Sequence, residues 1–147
     1  MEEIQQSGEK RSFPPAVTPE CPALVLGSLP GDESLRQVQY YAHPRNAFWK
    51  IMGELLGFDF SLPYEERLRL LNSGGVGLWD VVASGVRPGS LDQHITRARP
   101  NDIAALLERI PGIRTVCCNG TAAYRNCFSG NPPASSRCRP PVRRRRG

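Results

Sequence analysis

Apolar residues fall along this chain in two rhythms. Short unbroken runs alternate with stretches where they recur every three or four positions. Residues 23–26 form a run closed by Gly27 and Pro30, which predicts a buried strand. Residues 77–82 and 113–118 read the same way. Residues 46–56 place Phe48, Ile51, Met52, Leu55 and Leu56 at helical spacing, with Gly57 as the stop. Residues 63–72, 101–110 and 121–128 predict three more helices. Pro63 suits a helix start, and Asp102 stands early in its helix, where the dipole favours an acid. Residues 1–20 are polar and proline-bearing, so a mobile lead-in is expected before a domain spanning 21–128.

Strands alternating with helices predict an α/β fold, a parallel sheet covered on both faces. Ligands of such sheets sit beyond the carboxyl ends of the strands. Three polar groups are expected there: the turn Gly27-Ser28-Leu29-Pro30-Gly31, Asp80, and Asn119 with Gly120. Their convergence would make one site.

Each group also has an ordinary explanation. The turn can be a plain strand-to-loop connection, although glycines admit close backbone approach and Pro30 stiffens it. It lacks the Lys-Ser/Thr ending of a nucleotide-binding P-loop. Tyr40 and Tyr41, taken alone, fit a core better, but they stand beside His43-Pro44-Arg45-Asn46 at the mouth of a helix. A ring in that position can stack on a base, worth about 1–3 kcal/mol. Asn46 is a natural helix cap. Beside His43 it also makes a pair of uncharged polar groups able to hold a water or a base edge. Arg45 is a phosphate candidate. Asp80 interrupts an apolar strand, and a buried carboxylate is costly unless hydrogen-bonded. Arg87, Gly89-Ser90 and Asp92 form a polar loop that could touch a nucleic-acid backbone. Asn119 offers donor and acceptor together, as base readers do.

A length of 147 residues fits one domain, and 39% hydrophobic content fits a soluble globular one. No apolar run nears the roughly 20 residues of a membrane span, and the N-terminus lacks a signal-peptide core. Neither membrane association nor a secretory leader is expected. Cys21, Cys117, Cys118, Cys127 and Cys138 are odd in number and lack metal spacing, so reduced thiols and a cytoplasmic setting are expected. The net charge of +5 misleads. Six of the 19 cations are arginines in the last eleven residues; the other 13 stand against 14 acids, a balance of −1. Contact with DNA phosphates must therefore come from local placement.

GSLPGDESL, QYYAHPRNAFWKIM, GLWDVV, GSLDQHI, PNDIAALLERIPGI and NGTAAY closely resemble the hypoxanthine (deoxyinosine) DNA glycosylases, a branch of the uracil-DNA glycosylase superfamily. The resemblance runs from about Phe13 to Phe128. It implies an α/β/α sandwich around a four-stranded parallel sheet, no metal or organic cofactor, and release of hypoxanthine from DNA containing deaminated bases. A monomer is expected. The resemblance makes Asn46 the principal catalytic residue, with His43 beside it. Gly27, Ser28, Leu29, Pro30, Gly31, Tyr40, Tyr41, Arg45, Asp80 and Asn119 would then contact base or DNA. The superfamily's mismatch-uracil branch places an Asn where this chain has Leu29, which favours hypoxanthine over uracil. A uracil or mismatch glycosylase is the alternative, and an inactive nucleic-acid binder is the alternative of another class.

The resemblance also implies a C-terminal motif close to LPSTSPA, on a DNA-inserting loop after the fourth strand. Residues 129–147 instead read as an irregular, Arg-rich tail. Residues 138–144 can be encoded by TGC CGT CCA CCA GTC CGG CGG. Preceded by C and read one nucleotide earlier, this gives CTG CCG TCC ACC AGT CCG GCG, or Leu-Pro-Ser-Thr-Ser-Pro-Ala. The tail thus reads as a frameshift product, and codons incompatible with that motif would refute it. Taken as written, the chain is expected to lack its last strand, with weak stability and little activity.

Overall fold

The computed structural model describes residues 9–87, 95–127 and 138–139. Its centre is strand β2 (Ala23–Gly27), parallel to β3 (Val76–Asp80) on one side and β6 (Thr115–Cys118) on the other. The sheet order is β3-β2-β6-β7, where β7 is Cys138–Arg139. A fourth strand is therefore present, against the expectation of a missing one. Its described residues pair Val116 with Cys138 and Cys117 with Arg139. The rest of the Arg-rich tail lies outside the described residues.

Side-chain alternation along β2 sorts the core into two clusters. Leu24 and Leu26, fully buried, pack with Val116, Ile113, Leu106 and Ala123, the last two from helices α4 (Ile103–Arg109) and α5 (Thr121–Cys127). Val25 faces the other way, toward Phe48 and Trp49 of α2 (Phe48–Leu56) and Leu71 of α3 (Tyr64–Ser73). The alternating pattern read from the sequence thus produces helices on both faces of a parallel sheet.

Local chemistry sets the helix ends. Helix α2 begins two residues after Asn46, because the Asn46 side chain turns the chain into it: Phe48 N donates to Asn46 Oδ1 at 2.9 Å. It ends at Gly57, whose φ of 79° is left-handed and whose N–H donates to Gly53 O at 2.8 Å. Asp102 caps α4, accepting from Ala105 N at 2.9 Å.

Two parts of the fold depart from the sequence reading. The expected mobile lead-in is folded from Glu9 onward. Ala16 and Leu78 exchange both backbone hydrogen bonds, 2.8 and 2.9 Å, covering the outer edge of β3, and Trp79 Nε1 donates to Phe13 O at 3.0 Å. The apolar run 77–82 is also not one strand. It breaks at Val81, and the chain enters a separate antiparallel sheet, order β1-β4-β5, built from β1 (Glu9–Arg11), β4 (Val82–Val86) and β5 (Thr96–Pro100).

Tyr40 joins the lead-in to the helical layer. Its hydroxyl donates to Pro14 O at 2.9 Å, its ring meets Phe13 edge-on, and its carbonyl accepts from Trp49 Nε1 at 2.8 Å. Burial, and then the negative charge of Asp80, push the phenol's pKa far up from 10.0. The folded state therefore holds this proton more tightly than the unfolded chain does. The resulting stability is complete below the unfolded value of 10.0 and is lost as pH rises above it. Tyr40→Phe should flatten the loss of urea resistance above about pH 10. An equally steep loss in the variant would place that titration elsewhere.

Candidate active site

The carboxyl ends of β2, β3 and β6 open onto one cavity of about 360 Å³. That lies within the ~300–1,000 Å³ typical of small-molecule sites. Register brings its polar groups together. Gly27 pairs with Asp80, Leu26 pairs with Cys118, and Asn119 N donates to Leu26 O at 2.7 Å. The turn Gly27–Gly31, Asp80 and Asn119, expected at this rim, line the same cavity, with Tyr40, Tyr41, His43 and Asn46 completing it, while Gly120 does not line it. Arg45 is the exception and faces an adjoining groove.

The floor is buried and the rim is exposed. Ser28, Leu29, Tyr40, Asp80 and Arg87 are buried, whereas His43, Asn46 and Asn119 are exposed. On the floor, Asp80 crowds Gly27. A β-carbon at position 27 would lie 2.6 Å from Asp80 Oδ1 and 3.2 Å from Tyr41 Oη. Only glycine lets the strand pass beneath both groups.

Asn46 makes the helix-start bond that the sequence allows and also lines the cavity. Its Oδ1 accepts the helix-start bond from Phe48 N, which holds the amide plane at the cavity rim. A second lone pair on Oδ1 and the Nδ2 donors remain, and Nδ2 has no protein partner among the described residues. His43 Nδ1 accepts from Arg45 N at 3.0 Å. The neutral imidazole then carries its proton on Nε2 and presents a donor.

The two tyrosines differ. Tyr40 is a core residue, as its hydrogen bonds show, and gives the cavity only part of its wall. Tyr41 stacks on Phe48, centroids 4.0 Å apart and planes 27° from parallel, with a left-handed φ of 56°. Such a backbone is uncommon for a bulky residue and fixes where the ring stands. Leu29 packs into the Leu24–Val116 cluster and also lines the cavity.

Arg87 was read as a backbone-binding loop residue, but it is 2% exposed. Its Nη1 donates to Leu29 O at 3.2 Å and its Nη2 to Pro30 O at 2.5 Å. It braces the turn from below and lines the cavity. An Arg directly after an apolar strand was the only sequence signal, and its burial was not visible there. Gly89, Ser90 and Asp92 lie outside the described residues. Ser34 was missed altogether: buried on α1 (Asp32–Gln37), its Oγ accepts from Ala42 N at 3.1 Å and ties down the segment before His43. Asp32 and Glu33 also line the cavity, but Asp32 pairs with Lys10 and Glu33 with Arg36. No group of three or more metal-ligating side chains occurs among the described residues. Cys21 and Cys117 are free thiols, and no described helix is long and apolar enough to cross a membrane.

The sequence profile of the Uracil DNA glycosylase superfamily matches residues 14–144. The chain belongs to the uracil DNA glycosylase superfamily. A protein of Methanosarcina acetivorans named Hypoxanthine DNA glycosylase is 42% identical over 115 residues, 78% of this chain and 73% of the relative. One of the same name from Methanosarcina barkeri is 41% identical over 113 residues, 76% and 72% of the two chains. The solution NMR structure of a "putative Uracil DNA glycosylase" from Methanosarcina acetivorans superposes with a TM-score of 0.73 at 41% identity. That match covers 80% of this chain and 73% of the other. The superfamily match runs beyond Phe128, where the resemblance read from the residues stops. It takes in the lead-in from Pro14, whose carbonyl accepts from the Tyr40 hydroxyl.

The crowding at Gly27 is testable. Gly27→Ala should cost about 1–3 kcal/mol of stability. Part of that cost should vanish in an Asp80→Ala background, where the carboxylate oxygen is gone. Strict additivity in this double-mutant cycle, read from denaturant midpoints, would mean that the two positions do not collide.

Proposed function

We propose that this chain hydrolyses the N-glycosidic bond of deoxyinosine and releases hypoxanthine from DNA. The reading is supported by the name that both relatives carry, Hypoxanthine DNA glycosylase. The observation that carries it is the seating of Asn46 and His43 on the rim of a cavity whose buried floor holds Asp80. A base inside a duplex cannot reach such a cavity, so the nucleotide must leave the stack. Its base then enters between the turn and Tyr41, and its sugar stays at the rim.

Bond cleavage leaves oxocarbenium character on the sugar and negative charge on the departing base. Asn46 Oδ1 accepts a hydrogen bond from the attacking water and orients its lone pair toward the anomeric carbon. His43 Nε2–H and Asn119 Nδ2 supply donors where charge grows. Asp80 gives selectivity. Hypoxanthine carries a proton on N1, which a carboxylate accepts; adenine presents a lone pair there, which a carboxylate repels. Uracil shares the imide N–H, so Asp80 alone does not separate the two deaminated bases. Leu29, sunk in the core, leaves no amide at the position that the mismatch-uracil branch uses, and this favours hypoxanthine.

Asn46→Ala should lower single-turnover release from inosine-containing DNA by about 10²-fold or more. It should also cost about 1 kcal/mol of stability through the lost helix-start bond. Asn46→Asp keeps that bond, so its melting temperature should stay near the parent's while release changes. Parental release by the alanine variant would end the assignment of Asn46. Asp80→Asn should cut discrimination between inosine and adenosine by roughly 1–3 kcal/mol; an unchanged ratio would remove Asp80 from base reading. Inosine- and uracil-containing duplexes, assayed with this chain and with one whose residues 138–144 are replaced by Leu-Pro-Ser-Thr-Ser-Pro-Ala, separate base preference from the effect of the tail.

A further inference from the structure

A second groove, of about 390 Å³, adjoins the base cavity and shares Tyr41, His43 and Asn46 with it. Arg45, Lys50 and Arg67 line this groove, and no carboxylate is among its lining residues. That contrasts with a chain body whose acids outnumber its cations once the tail is set aside.

The cations differ in how firmly they are held. Arg45 and Lys50 are exposed, one on either side of the start of α2. Arg67 is fixed. Its Nε donates to Leu62 O at 2.9 Å, and its guanidinium carbon lies 4.9 Å from the Trp49 ring centroid and 5.7 Å from that of Tyr64. Both Nη groups remain without a protein partner among the described residues. A flat guanidinium anchored at one edge is prepared for a phosphate or for stacking against a base. Phe60 stands at the same groove, 50% exposed, on a loop held by Ser61 N and Oγ donating to Asp59 Oδ1 at 2.8 and 2.7 Å.

We propose that this groove seats the damaged strand next to the extruded nucleotide: Arg45, Lys50 and Arg67 hold its phosphates, and Phe60 stacks on an unpaired neighbouring base. This rests on the glycosylase reading, since the wall shared at His43 and Asn46 is where the sugar of the extruded nucleotide would lie. A strand delivering its base to one side of that wall must run along the other. Cations spaced along a track with an aromatic face are what single-stranded nucleic acid binds.

The test is equilibrium binding of the full chain to an oligonucleotide carrying uncleavable 2′-fluoro-deoxyinosine. Single flanking phosphates are replaced by neutral methylphosphonates. Lys50→Ala, an exposed change, should weaken binding roughly three- to tenfold and lower the slope of log K against log salt by about 0.7–0.9. One methylphosphonate should weaken the parent similarly and leave Lys50→Ala unaffected, which identifies the phosphate concerned. Phe60→Ala should weaken binding with no change in salt slope. An unchanged salt slope in Lys50→Ala, or a methylphosphonate penalty that is the same in parent and variant at every position, would overturn the proposal. Failure of the glycosylase reading looks different: the parent would bind but release no base from any substrate.

Discussion

The register of β2 between β3 and β6 is the constraint from which the cavity follows. Pairing Gly27 with Asp80 and Leu26 with Cys118 stops three strands at one level, so their next residues share a rim. The same register sends Leu24 and Leu26 into one apolar cluster and Val25 into the other. A slip of one residue would turn every side chain of the strand to the opposite face. Both clusters would then unpack along with the site. The free energy that folds the protein and the geometry that places Asp80 and Asn119 are thus secured by the same contacts.

On the cavity floor, Asp80 and Arg87 stand among buried groups, while the outer acids are engaged by cations on the surface. A carboxylate beside a departing base resists the charge that develops on it. In the proposed chemistry Asp80 therefore contributes discrimination at some expense in rate, and the neutral donors of the rim supply the compensating stabilisation. Placing Asn46 and His43 in contact with solvent also fits the need to admit a water. Their orientation is nonetheless fixed, because each makes a hydrogen bond to main chain within two residues.

The parts legible in the sequence were those with a strong period or strong punctuation. Residues 23–26 and the pattern from Phe48 to Leu56 announce themselves, and the convergence at the strand ends follows from parallel topology alone. Helix α1 escaped because Asp32–Gln37 contains a single apolar side chain, Leu35. The antiparallel sheet escaped because β1 reads Glu-Lys-Arg and β5 is exposed at all five positions, so neither shows apolar alternation. Charged strands of this kind are held by main-chain pairing to β4. Adjacent tyrosines could not be told apart by pattern: the partner that makes Tyr40 a core residue, Pro14 O, lies 26 positions away. Arg87 was misread because a long-range bond to a turn nearly sixty residues earlier leaves no local signature.

That bond couples two segments which a linear view would treat as separate modules. The guanidinium at the end of β4 reaches two consecutive carbonyls of the Gly27–Gly31 turn, so the shape of the turn is specified partly from the other sheet. Transplanting the turn with β2 into an unrelated parallel-sheet scaffold would carry the residues across without their brace. Among diverging descendants of this protein, a change in the length of the turn and a change at position 87 should be inherited together.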